Sequence, residues 1–209
     1  VRTANGFGNT ESVTMSTVTL ASPPATPTFS GVGQGGVTIS WTAGTGGAGA
    51  YAVGRGTTSN QADLSIVVSS QSATTYTNTG LTPGTTYYYA VLAFNWTGYA
   101  DTSAQPPQSL SPSGAVRTLP AAATPGAPKA NSPSSVTWEW TNPTQGLDAV
   151  SVQASSGGSV SVSLSSTTTA YTETGLLANT AYTRLVRVAN AWGSSDSVLM
   201  STTTRANSP

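Results

Sequence analysis

Seven carboxylates, Glu11, Asp63, Asp101, Glu139, Asp148, Glu173 and Asp196, are the whole acidic inventory of this chain. Glycoside hydrolysis needs two of them facing one cleft. Here they are scattered, and the surrounding pattern places them mostly in turns or on outward strand faces. The base that a hydrolytic triad requires is missing, because the chain has no histidine, and with no cysteine a Cys-His arrangement is excluded as well. Zinc ligands of the usual nitrogen and sulfur kind are absent for the same reason. No G-x-x-x-x-G-K-[ST] loop occurs, and GVGQGG (31–36) precedes a strand rather than opening a helix, so it reads as a turn.

Three shorter motifs invite chemistry and have plainer readings. Arg55-Gly56-Thr57 resembles an integrin-binding tripeptide but lacks its acid, and reads as a strand end and turn. Asn95-Trp96-Thr97 is an Asn-glycosylation sequon. A strand-end Asn that bonds local backbone is the expectation, since Asn190 occupies the matching place without a sequon. A Lys–Asn isopeptide bond would need a buried lysine and a catalytic acid. Lys129 is the only lysine, and Glu139 lies between Trp138 and Trp140. Alternation turns those two tryptophans inward with Val136 and Glu139 outward. The sequence therefore predicts no catalytic, cofactor-binding or metal-binding residues, and no enzyme.

Composition narrows the partners. Charged residues are only 7% of the chain, with 7 basic against 7 acidic. That supplies neither a basic stripe for nucleic acid nor a polybasic membrane patch. No run approaches the length of a membrane-spanning helix. The start, VRTANGFGNT, has no apolar stretch of the kind a signal peptide carries. Ser, Thr, Gly, Ala and Val dominate, a composition associated with bacterial secreted and cell-surface proteins. Disorder is disfavoured, because Val, Tyr and Trp recur with a period of two. GGVTISWTA puts Val37, Ile39 and Trp41 on one face, and SVSVSL does the same with Val160, Val162 and Leu164. Gly- and Pro-rich segments such as TAGTGGAG and TNPTQG separate these runs as turns. The reading is all-β, with short strands at regular spacing.

Repeats set the domain plan. Trp41 in VTISWT recurs as Trp140 in VTWEWT, and TGLTPGTTYYYAVLAFNWTG (79–98) recurs as TGLLANTAYTRLVRVANAWG (174–193). The offset of about 95 residues is the size of one β-sandwich. A third, partial copy opens the chain: residues 1–24 align without gaps to 186–209, with 13 identities. The expected plan is the last two strands of an incomplete module (1–21), then complete modules at 22–119 and 120–209, joined at Pro-rich, semi-rigid seams.

Each module resembles a fibronectin type III domain. Trp41 and Trp140 carry the match early in each copy. Leu81-Thr82-Pro83-Gly84-Thr85-Thr86-Tyr87 is close to the family's L-x-P-G-T-x-Y, while Leu176 to Tyr182 keeps both ends and loses Pro-Gly. Asn95 and Asn190 also stand where the family often has Asn after strand F. The resemblance implies tandem immunoglobulin-like β-sandwiches with Greek-key topology. Trp41, Leu81, Tyr87, Trp140, Leu176 and Tyr182 would then be structural core, the two tyrosines in tyrosine-corner roles.

The copies differ most after strand F. Asn95 to Leu119 spans 24 positions, against 15 from Asn190 to Arg205. About nine extra residues are expected in AQPPQSLSPS (104–113), either as a recognition loop or as a Pro-stiffened, split final strand. Trp96, Tyr99, Asp101, Gln105 and Gln108 form the candidate ligand-binding loop for a surface protein or glycan. Three functions fit. The chain is a spacer in a larger extracellular, bacterial multi-repeat protein, with neighbouring domains as its partners. Alternatively it is an adhesion or carbohydrate-binding module, accessory to a secreted polysaccharide-degrading enzyme. A third role is a subunit of a surface polymer, with residues 1–21 pairing in trans.

Overall fold

The computed structural model describes residues 4–5, 8–9, 21–95, 108–155 and 161–209. It is all-β apart from one short 3-10 turn, Gln61–Asp63. The chain opens with a small hairpin, β1 (Ala4–Asn5) and β2 (Gly8–Asn9).

A first sandwich follows. One sheet holds β3 (Thr28–Ser30), β4 (Gly36–Ser40) and β7 (Thr75–Thr79) in the order β3-β4-β7. The other holds β5 (Ala50–Gly56), β6 (Ser65–Gln71), β8 (Thr86–Phe94) and the split final strand, β9 (Gln108–Leu110) and β10 (Gly114–Arg117), both paired to β8. All pairings are antiparallel, and the chain moves from one sheet to the other and back between β4 and β8. Alternation does the packing: Val37 and Ile39 from one sheet meet Tyr51, Val53, Tyr89 and Val91 from the other. Trp41, Leu81 and Tyr87 are buried in the same cluster.

The second sandwich repeats this plan. The strands β11 (Thr124–Pro125), β12 (Lys129–Ser132), β13 (Ser135–Thr141) and β16 (Ala170–Thr174) face β14 (Ala149–Ala154), β15 (Ser161–Leu164), β17 (Ala181–Asn190), β18 (Gly193–Asp196) and β19 (Met200–Thr203). Val136, Trp138 and Trp140 are buried, and Glu139 is exposed. Leu176 and Tyr182 are half-buried against that core. Lys129 is exposed, so an isopeptide bond has no buried amine to start from.

The repeated stretch forms the same corner twice. Tyr87 Oη accepts from Thr82 N at 3.0 Å, and Tyr182 Oη accepts from Leu177 N at 2.9 Å. A threonine just past the last strand then latches the turn. Thr118 Oγ1 donates to Thr82 O (2.8 Å) and accepts from Thr85 N (3.0 Å). Thr204 Oγ1 donates to Leu177 O (2.6 Å) and accepts from Thr180 N (3.0 Å).

The final strand is split in both sandwiches for one reason. At the break a serine hydroxyl replaces a ladder carbonyl: Ser111 Oγ accepts from Val91 N, and Ser197 Oγ from Val186 N, each at 2.9 Å. Ser111 thus matches Ser197. Asn95 to Ser111 is 16 positions and Asn190 to Ser197 is 7, so the nine extra residues fall before Ser111. With Phe94 paired to Gln108, the insertion lies between Asn95 and Gln108, upstream of much of the expected 104–113.

Inside the cores, the copies solve one problem in two ways. Asn78 Nδ2 donates to Tyr89 Oη at 2.9 Å in the first. At the matching points of the second stand Glu173 and Arg184, an ion pair with both side chains about 95% buried. Glu173 is the exception to the expectation that the acids lie mostly in turns or on outward faces. Strand phase puts it inward, beside Tyr171, and Arg184 makes that position tolerable for a charge. A second difference concerns the indoles. Trp140 Nε1 donates to Asn142 Oδ1 at 2.8 Å, whereas Trp41 Nε1 is buried without a partner. Ala43 occupies the first sandwich's counterpart of Asn142.

The outward face of β17 and β18 carries Arg187 and Asp196, in bidentate contact at 2.6 and 2.7 Å. Hydrogen bonding from Arg187 holds the Asp196 carboxyl below its ordinary range. Both groups are well solvated, so the pair contributes little stability, within about 1 kcal/mol.

Candidate functional site at the joint between the sandwiches

Where polar side chains and backbone converge most densely outside the cores is the meeting of the two sandwiches. The first contributes its Thr82–Thr85 turn and the end of β10. The second contributes the loop before β14 and the turn between β17 and β18.

Asn190 sits at the centre. Its Nδ2 donates to Thr118 O (2.8 Å) across the joint and to Gly146 O (3.2 Å) on its own side. Its Oδ1 accepts from Trp192 N, which closes the two-residue turn set by the Asn190↔Gly193 pairing. Ser195 Oγ donates to Pro120 O at 2.7 Å, pinning the linker. Gln145 Nε2 reaches back to Pro83 O (3.1 Å) and Thr85 Oγ1 (3.0 Å). Arg117 Nη1 donates to both Asp148 oxygens, at 2.9 and 3.1 Å. Trp192 meets Phe29 edge-on, ring centroids 6.0 Å apart.

Backbone contact completes the joint. Gly84 (φ 67°) and Gly146 (φ 81°) touch, and a Cβ built on Gly84 would lie 2.5 Å from Gln145 O. A Cβ on Gly146 would overlap the Gly84 Cα outright. Only glycine permits both the positive φ and the close approach. Beside this contact lies a cleft of about 300 Å³, with Thr82 and Pro83 on one wall, Asn142–Gln145 on the other and Ala121 and Ala122 between them. No titratable group lines it.

Gly146→Ala should therefore separate the sandwiches while leaving both folded. The second sandwich should lose about 1–2 kcal/mol from alanine at positive φ. Residual dipolar couplings should change from one shared alignment frame to two. Retention of one frame would mean that the glycine contact does not hold the joint.

The residues singled out from sequence are distributed differently. Trp96, Tyr99, Asp101 and Gln105 lie outside the described residues, and Gln108 begins β9. Arg55 and Gly56 end β5, as a strand-end reading expects. Sequence reasoning missed Gln145, Gly146, Asn190 and Trp192 as a group. The available signal was the two-residue turn that follows Asn190, where the first module has a long insertion. Among the described residues, no cluster of three or more His, Cys, Asp or Glu could hold a metal ion, and no helix is long and apolar enough to cross a membrane.

Comparison with known proteins follows the strand plan. The fibronectin type III domain family matches residues 22–109. A two-domain fibronectin type III segment from chicken tenascin is similar in structure, at 16% identity over 88% of this chain and 99% of that one, with a TM-score of 0.46. The FN1–FN3 domains of chicken CNTN1 are 20% identical over 88% and 69% of the two chains, with a TM-score of 0.39. The fibronectin type III domain of human fibronectin type III domain containing protein 3 is 19% identical over 50% and 92%, with a TM-score of 0.40. No curated protein matches the sequence. Residues 22–109 thus match the fibronectin type III domain family, and a second β-sandwich of the same general strand plan follows them in tandem.

Proposed function

We propose that this chain is a non-catalytic spacer of an extracellular, multi-repeat bacterial surface protein, and that it presents or links other domains at a set angle. The observation that carries this reading is the joint. Asn190, Gln145 and Arg117 make contacts across it, Ser195 pins the linker, and the Gly84–Gly146 contact leaves no room for sliding. A spacer needs reach and fixed orientation rather than a ligand site, and each surface-exposed polar contact need contribute only a fraction of a kcal/mol when several act together. The hydroxyl-rich, nearly uncharged composition supports an outward location.

Residual dipolar couplings on the unaltered chain test it. Couplings from the two sandwiches should fit one alignment frame, and small-angle scattering should fit one conformation. Two independent frames would overturn the fixed-angle spacer.

The length difference between the turns that follow β8 and β17 favours a second reading, a recognition loop carrying Trp96 and Tyr99 for a glycan or surface protein. Glycan and protein arrays with Trp96→Ala as the control address it; binding indifferent to that change counts against the loop.

A further inference from the structure

The two sandwiches carry the same turn-and-latch at their C-terminal poles, but not the same surface. Gly84 N donates to Leu119 O at 2.9 Å, and Asn179 N donates to Arg205 O at 3.1 Å, so Asn179 is the counterpart of Gly84 and Arg205 that of Leu119. The backbone is conserved even in sign: φ is 67° at Gly84 and 50° at Asn179. The side chains are not. Gly84 accepts the second sandwich because it has no Cβ, and one placed there would sit 2.5 Å from Gln145 O. Asn179 has that Cβ. Leu177, which replaces Thr82, is 70% exposed on the same pole. Leu119, whose methyl meets Gly193, becomes a charged Arg205, and Arg117, which holds Asp148, becomes Thr203.

The opposite half of the joint changes as well. Gly49 N donates to Phe94 O as Asp148 N donates to Ala189 O, so Gly49 is the counterpart of Asp148, with Gly46 and Gly47 matching Gln145 and Gly146. Gly47 keeps the positive φ (71°) and has open space around it. The carboxylate and the amide that reach across in the second sandwich are both missing there.

We infer that the docked joint is private to this pair of sandwiches: the pole built on Leu177, Asn179 and Arg205 is closed to a module seated as the second sandwich is seated on the first. A module attached at that pole finds a Cβ in the backbone contact, an arginine in the apolar contact and no guanidinium for an Asp148-like acid. Past that pole the docked geometry is not repeated, and orientation is free to change there. This rests on the spacer reading, which it deepens by locating the stiff and the free junctions.

Gly84→Asn in the full chain tests it, because it installs the residue that this fold already uses at that φ. Hydrogen-exchange protection should persist in both sandwiches, while their dipolar couplings should separate into two alignment frames. Leu119→Arg should do the same without touching the turn, and decides the matter if the first variant misfolds. One shared frame in the folded variants would overturn the inference while leaving the spacer reading intact; two frames in the unaltered chain would instead remove the spacer reading itself.

Discussion

Glu173→Gln should cost the second sandwich about 3–5 kcal/mol, the range for removing one partner of a buried ion pair. A domain of this size has about 5–15 kcal/mol in all, so the variant should stand close to unfolding. The carboxylate accepts from Arg184 Nη2 at 2.6 Å, Arg184 Nε at 3.0 Å and Trp138 Nε1 at 2.9 Å. The guanidinium also lies over the rings of Tyr182 and Trp138, at 5.3 and 5.9 Å. Those rings help to seat the cation but cannot neutralise it. With glutamine in place, a full positive charge remains buried without its counter-charge. The first sandwich supplies the control, since Asn78 and Tyr89 fill the same two lattice points without charge. Glu173→Asn combined with Arg184→Tyr should therefore recover most of the loss, with the asparagine carbonyl left to accept from Trp138. Denaturant unfolding should show an early second-sandwich transition in the single variant and its return in the double one. A single variant within about 1 kcal/mol of the parent would show that the pair is solvated.

The same comparison explains what could be read from sequence. Leu81 to Tyr87 and Leu176 to Tyr182 announce the corner because its geometry is local: the hydroxyl caps an amide five positions upstream. Trp41 and Trp140 are legible because period-two alternation assigns them to the inner face. Glu173 was harder, since charged residues are expected outside. Its strand phase and its alignment with Asn78 were nevertheless visible in the repeat. Arg184, aligned with Tyr89, completes a swap of one polar pair for another. The joint was illegible for a different reason. Asn190 bonds Thr118, 72 positions away, and Gln145 bonds Pro83, 62 positions away. Nothing in either local pattern says which pole meets which. The glycines at 84 and 146 read as ordinary turn residues until their mutual contact gives each a second reason to lack a side chain.

The neutral pair in the first sandwich predicts a pH dependence of its own. Tyr89 is fully buried, and desolvation pushes its phenol from 10.0 up to about 12, against the smaller opposing effects of the Asn78 hydrogen bond and the Arg55 charge. The folded state therefore favours the protonated phenol. Its contribution is fully present below the unfolded value near 10 and is lost as pH rises through the folded value near 12. Two pH units correspond to about 2–3 kcal/mol at most. The first sandwich should accordingly weaken across that window. Tyr89→Phe separates the causes. At neutral pH it should cost about 1–3 kcal/mol, because the buried Asn78 amide loses its acceptor. Above pH 10 it should show a flatter decline than the parent, since no phenolate has to form inside the core. Denaturant midpoints of the first-sandwich transition, measured from neutral pH to pH 12 in parent and variant, give both numbers. A parent midpoint that stays level, or a variant that declines as steeply as the parent, would mean that the fold admits the phenolate and that Asn78 can stabilise it.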